Sequence, residues 1–201
     1  PEIMHKIVAL NHVTLLKFFK NYFEKAGCDL SKVDRCNGRT LLMTAVLTGN
    51  PDIVQAVFEL NPAAIEERDF LGNTAFLNAV RQNIEVVRKL KSLGADTTAT
   101  SINNSTALML AVNNLEMATE LMDPSYGINL EARNHENQSA LSKAILCDAV
   151  VLANILIKRG VKIETLVDSL EYDRDYISRN GDEIDFPFSD NNISFVNFCI
   201  E

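Results

Sequence analysis

The residues of this chain that could do covalent, acid–base or metal chemistry are few. There are three histidines (His5, His12 and His135) and four cysteines (Cys28, Cys36, Cys147 and Cys199). His5 and His12 with Cys28 and Cys36 would supply zinc-type donors. No two of them stand at the short spacing that a structural zinc site uses, so no metal site is read there. Asp173 and Asp175 flank Arg174 and could share a divalent ion. The glycine of a calcium loop is missing around them, and a solvated acidic helix face is the better reading. Cys147 with His135 would suggest an activated thiol, but their positions in the chain do not require contact. A phosphate-binding glycine loop, a His-Glu-x-x-His and a Gly-x-Ser-x-Gly are all missing from the sequence. The sequence is read as non-catalytic, with no cofactor and no metal.

Composition narrows the partners. Twenty-seven acidic residues against 19 basic ones leave a net charge of −8, and no Lys/Arg run interrupts that balance. Nucleic acid and anionic lipid call for a basic face, so both are set aside. Apolar runs are broken by charge every few residues, too often for a membrane span. Irregularly spaced cysteines read as free thiols in a reducing compartment, and the Asn-x-Ser/Thr sequons as incidental. A cytoplasmic monomer is expected.

The elements that would position any site repeat along the chain. "NGRTLLMTAV", "LGNTAFLNAV", "NNSTALMLAV" and "ENQSALSKAI" set Gly38, Gly72, Asn104 and Asn137 at intervals of 34, 32 and 33 residues. Each block is followed by a polar break and then by an apolar helical stripe, as in Ile53, Val54, Val57 and Leu60. One unit therefore reads as turn, short helix, tight turn, longer helix and linker. Gly or Asn suits a left-handed turn, and Thr or Ser after it can cap the short helix.

These blocks resemble the ankyrin repeat signature, Gly-x-Thr-Pro-Leu-His-x-Ala with a closing Gly-Ala-Asp. "GNTAFLNA" (72–79) and "LKSLGAD" (90–96) match best. The resemblance implies an all-α solenoid of stacked helix–turn–helix units with short hairpin loops. The expected organisation is an N-terminal capping repeat over 1–33 and four repeats over 34–163, at about 34–68, 69–100, 101–133 and 134–163. An acidic helical insertion over 164–190 would follow, then the start of a further repeat, or a C-terminal cap, over 191–201. The opening Pro-Glu and this unfinished unit read as a fragment of a longer protein. In the cap, Lys17, Lys20, Asn21 and Lys25 would wet the outer face, and His5 and His12 read as surface histidines. The signature's Pro is replaced by Leu41, Ala75, Ala107 and Ala140, and its His by Met43, Leu77, Met109 and Ser142. The hydrogen bonds that the His makes should therefore be missing. The breaks "RQNIE" and "NNLE" lack a glycine and should be tightened turns.

The resemblance also implies a binding surface on the concave side, built from hairpin tips and the exposed side of the first helices. Carried over position by position, it comprises Cys36, Asn37 and Arg39, then Phe70, Leu71 and Asn73 with Arg81 and Gln82. The third repeat adds Ile102, Asn103 and Ser105 with Asn113, and the fourth His135, Glu136 and Gln138 with Leu146. Phe70, Leu71 and Ile102 are apolar where such positions are commonly polar, which fits a protein contact. The alternative is that Phe70 folds onto its own hairpin or meets the 164–190 segment. The functional reading is a protein-binding scaffold. Its alternative is the substrate-recruiting part of a larger enzyme or of a bacterial effector delivered to a host cytosol.

Overall fold

A computed structural model of the chain describes residues 2–25 and 37–162. Cys28, Cys36, Cys199, the Asp173–Asp175 pair and the segments expected at 164–190 and 191–201 lie outside the described residues. The fold is all-α. Helices α1 (Glu2–Ala9) and α2 (Val13–Lys25) form the first pair, α3 (Leu41–Leu47) and α4 (Pro51–Phe58) the second, and α5 (Ala75–Val80) and α6 (Ile84–Ser92) the third. The fourth pair is α7 (Ala107–Leu110) and α8 (Leu115–Leu121), and the fifth α9 (Ala140–Leu146) and α10 (Val150–Lys158). The chain divides into two compact units, 1–102 and 103–201. Within the first, α1 packs on α3 and α3 on α5, while α2 packs on α4 and α4 on α6. Within the second, α7 packs on α9 and α8 on α10. Among the described residues, no helix is long and apolar enough to cross a membrane.

Local chemistry sets the helix starts. Thr40, Thr74, Thr106 and Ser139 each stand one residue before a first helix, and each hydroxyl accepts the backbone N–H three residues on. Asn50, Asn83 and Asn114 cap the second helices with their amide oxygens, each taking an N–H two or three residues on. Capping thus accounts for these three asparagines. Removing one cap leaves a buried N–H without its acceptor, so Thr74→Ala should cost about 1 kcal/mol in a urea melt followed by circular dichroism.

The turns expected to tighten in the middle repeats do not: three residues separate α3 from α4 and α5 from α6, and four separate α7 from α8, while the span from first helix to cap still shortens. Ala45 and Asn50 are five positions apart, Ala79 and Asn83 four, and Ala111 and Asn114 three. The residues are lost from the first helix, which has seven residues in α3, six in α5 and four in α7. These first helices are closely surrounded: α3 lies between α1 and α5, and α5 buries all six of its residues, from Ala75 to Val80. Ala45, Ala79 and Ala144 are fully enclosed, which is where a larger side chain would push neighbouring helices apart. Met43, Leu77 and Met109 fill the signature's His position as buried apolar groups. Ser142 instead exchanges hydrogen bonds with Ser139, forming a capping box.

The N-terminal pair differs from the sequence expectation. His5 is half-buried, with Nδ1 2.6 Å from Thr44 Oγ1. It stands 38 positions before Met43, and so fills the signature's own His place rather than a free surface. His12 is exposed and accepts the Leu15 N–H near the start of α2. Lys17 is exposed, as a wetted face requires, but so are Ile3, Leu10 and Phe18. Residues 38 positions after Ile3 and Phe18, Leu41 and Ala56, are buried.

Linkers between repeats are tied to one another. Glu66 accepts the Asp96 N–H at 2.7 Å, and in the second unit Glu131 accepts the Lys162 N–H at 2.9 Å. The Thr98 hydroxyl, and next the Thr98 N–H, hold the Asp96 carboxyl below its usual value, with a smaller contribution from Arg68. A carboxyl depressed in the folded state stabilises above its unfolded pKa, and that contribution is lost as pH falls through the folded pKa. Asp96→Asn should therefore lower the melting temperature at neutral pH and leave it unchanged once pH is below the folded pKa, flattening the acid limb; the effect should be small because the site is exposed.

Candidate functional site: the hairpin tips and inner-helix ends

Asp69 builds the hairpin that carries Phe70 and Leu71. Its buried carboxylate accepts the Leu71 N–H at 3.0 Å and the Asn73 N–H at 2.9 Å through one oxygen. The Asn78 amide donates to the other oxygen at 3.1 Å. Asp69 N–H in turn donates to the Asn73 carbonyl at 3.0 Å, closing the loop. Of the three residues between, Phe70 and Leu71 are left exposed at the tip. Asn134 repeats this geometry in the second unit with a neutral amide, accepting the Glu136 N–H at 3.0 Å and the Gln138 N–H at 2.8 Å.

Neighbouring hairpins are then pinned by backbone. Phe70 N–H donates to the Asn37 carbonyl at 3.1 Å, and Ile102 N–H to the Leu71 carbonyl at 3.1 Å. In the second unit, His135 N–H donates to the Asn103 carbonyl at 2.9 Å. Gly38 and Gly72 take φ near +70° and +71°, and each lies under the next hairpin. A Cβ on Gly38 would come within 2.4 Å of the Phe70 ring, and one on Gly72 within 2.6 Å of the Ile102 backbone nitrogen. Phe70 therefore lies across the preceding hairpin, not back on its own. Arg68 braces the same edge, donating to the Gly72 and Thr100 carbonyls.

This arrangement keeps three large apolar side chains in water. Phe70 is 64 % exposed, Leu71 61 % and Ile102 62 %. Arg81 and Gln82, just past the end of α5, are also exposed. Asn37 is half-buried and its side chain accepts the Arg39 N–H at 3.0 Å. Arg39 is half-buried, and its Nε is enclosed without a hydrogen-bond partner. In the second unit, Asn103, Asn113, His135 and Glu136 are exposed, while Gln138 and Leu146 are half-buried.

Two expected tip residues are not presented. Asn73 is only 3 % exposed and belongs to the Asp69 turn, and Ser105 is buried at 7 %. In the opposite sense, Leu47 was not foreseen. It lies at the end of α3, 34 positions before Arg81, and is 38 % exposed. That register is the signal that could have found it. His135 sits on a hairpin before α9 and Cys147 caps its far end, which at 1.5 Å per residue is about 10 Å of helix. They form no catalytic dyad. Among the described residues, no three His, Cys, Asp or Glu side chains converge as metal ligands.

The family model for ankyrin repeats, in three copies, matches residues 4–101 and 79–166. The chain belongs to the ankyrin repeat family. The ankyrin repeat domain of Bcl-3, a member of the IkappaB protein family, superposes with a TM-score of 0.70 at 23 % identity. That match covers 81 % of this chain and 73 % of the other, and bears on the fold alone. No curated protein matches the sequence. Ankyrin repeats are in general protein–protein interaction modules, and the ankyrin hairpins of this chain present their tips in the manner just described.

Proposed function

We propose that this ankyrin chain is a non-catalytic scaffold that binds a partner protein through its concave hairpin and inner-helix face. One observation carries the reading. Phe70, Leu71 and Ile102 remain more than half exposed while their backbones are fixed by hydrogen bonds between neighbouring hairpins. Large apolar groups held rigidly in water lose little conformational freedom on binding and gain by being covered. Arg39, Arg81, Gln82, Asn37 and Leu47 form the surround, and arginine beside an aromatic such as Phe70 is typical of protein contacts. On the second unit, Asn103, Asn113, His135, Glu136 and Gln138 hold the corresponding positions. A reducing compartment such as the cytosol suits its free, exposed Cys147 thiol.

The test compares the wild type with a Phe70→Glu/Leu71→Arg variant, both immobilised and offered the same lysate. Circular dichroism first checks that the two are equally helical. A protein held by the wild type and lost from the variant supports the reading. Identical capture by both removes it.

A further inference from the structure

Charge in the first unit is sorted by side. Its described carboxylate side chains are Asp52, Glu59, Glu66, Glu67, Asp69, Glu85 and Asp96. Asp52, Glu59 and Glu85 belong to the outer helices α4 and α6 or their caps. Glu66, Glu67 and Asp96 lie in the linkers, and Asp69 is buried inside its turn. None of these carboxylates is exposed on the hairpin tips or the inner helices. That side instead carries Lys6 on α1, Arg39 beside Gly38 and Arg81 at the end of α5. None of the three cations has a carboxylate partner among the described residues, and the Arg39 Nε has no acceptor at all. Exposed apolar groups also lie at the tips and inner-helix ends: Phe70, Leu71 and Ile102 at the tips, Leu47 at the end of α3 and Leu10 just past α1, whereas exposed Phe18 belongs to the outer helix α2.

Among the described side chains, the tips and inner helices of the first unit thus carry unpaired cations and apolar groups but no exposed carboxylate, in a protein of net charge −8. We propose that this face takes a peptide segment of the partner that is acidic and carries large apolar side chains. The proposal rests on the docking reading above and adds the partner's chemistry. Acidic groups would pair with Arg39 and Arg81, and the overall negative field would turn away acidic chains lacking apolar anchors. Arg39 suits the role because its half-buried guanidinium is already partly desolvated, so a carboxylate meets little competing water. A nucleic acid would need many phosphate contacts, and three cations on a chain of this charge supply too few.

The experiment selects a phage-displayed library of random peptides on the full chain. The same library is selected in parallel on Arg39→Glu/Arg81→Glu, on Arg81→Glu alone and on Phe70→Ser. Arg81 is exposed, so its single variant keeps the test valid if the Arg39 change disturbs folding. The expected result is enrichment of peptides rich in Asp and Glu with large apolar residues. Their affinity should fall about tenfold or more on the charge-reversed variants, and also as salt rises from about 0.05 M to about 0.5 M. Enriched peptides that depend on Phe70 but are neutral or basic would overturn the acidic preference and leave the docking face standing. Peptides indifferent to Phe70 and to both arginines would overturn the docking face as well, as would no enrichment at all. A fluorescent RNA oligonucleotide that binds with the same arginine dependence, where acidic peptides do not, would overturn the peptide class.

Discussion

Gly72→Ala should destabilise the first unit by about 3 kcal/mol or more, the sum of left-handed strain and a backbone collision. Gly72 has φ +71°, and its added Cβ would lie 2.6 Å from the Ile102 nitrogen and 3.1 Å from its Cα. Those are backbone atoms, held by the Ile102 N–H to Leu71 carbonyl bond at 3.1 Å. Relief requires that bond between hairpins to break. Gly94 provides the control: its φ is +89°, yet nothing lies within 4 Å of its Cβ position. Gly94→Ala should therefore cost only the strain of a left-handed alanine, about 1 kcal/mol. Gly38→Ala falls between them, since its Cβ meets the Phe70 ring, a side chain that can swing aside. Urea melts of the three variants check the order; equal losses at Gly72 and Gly94 would mean that the hairpins are not pinned to one another.

Phe76→Ala should cost about 3–5 kcal/mol, while Phe70→Ala, six positions earlier, should cost less than about 1 kcal/mol. Phe76 is fully enclosed in α5, a helix packed against α3 and α6, so its loss leaves a cavity that the stack cannot close. Phe70 is 64 % exposed and touches the preceding turn with one side of its ring. Its removal should leave the melt nearly unchanged and weaken partner capture instead. The pair separates core from surface within one repeat. A large loss of stability on Phe70→Ala would make that side chain part of the core and remove it from the binding face.

The stack was legible because its cause is periodic. Turn residues at 38, 72, 104 and 137, each followed two residues later by Thr or Ser, are the caps and hairpins of the structure. The tip residues Phe70, Leu71 and Ile102 followed from the same register. Asn73 did not, because its burial depends on Asp69, four residues earlier, taking its N–H and turning the chain inward. Leu47 closes the apolar run "LLMTAVL" and reads as core; only its register with Arg81 brings it to the surface. His5 was obscured by a different cause. Its repeat carries Glu2 where the others carry the capping Thr or Ser, so packing against Thr44 is what reveals that it occupies the signature position. The sorting of charge was hidden too, since it depends on which helix of each pair faces which way.

The most direct test of the central claim places a photo-crosslinking amino acid, benzoylphenylalanine, at Leu71 in one sample and at Arg88 in another. Leu71 is an exposed tip, and Arg88 is exposed on the outer helix α6. Irradiation in a cell lysate, followed by mass spectrometry of the shifted bands, should give discrete protein adducts from position 71 and none from position 88. Adducts from position 88 alone, or the same adducts from both, would contradict a binding face on the hairpin tips.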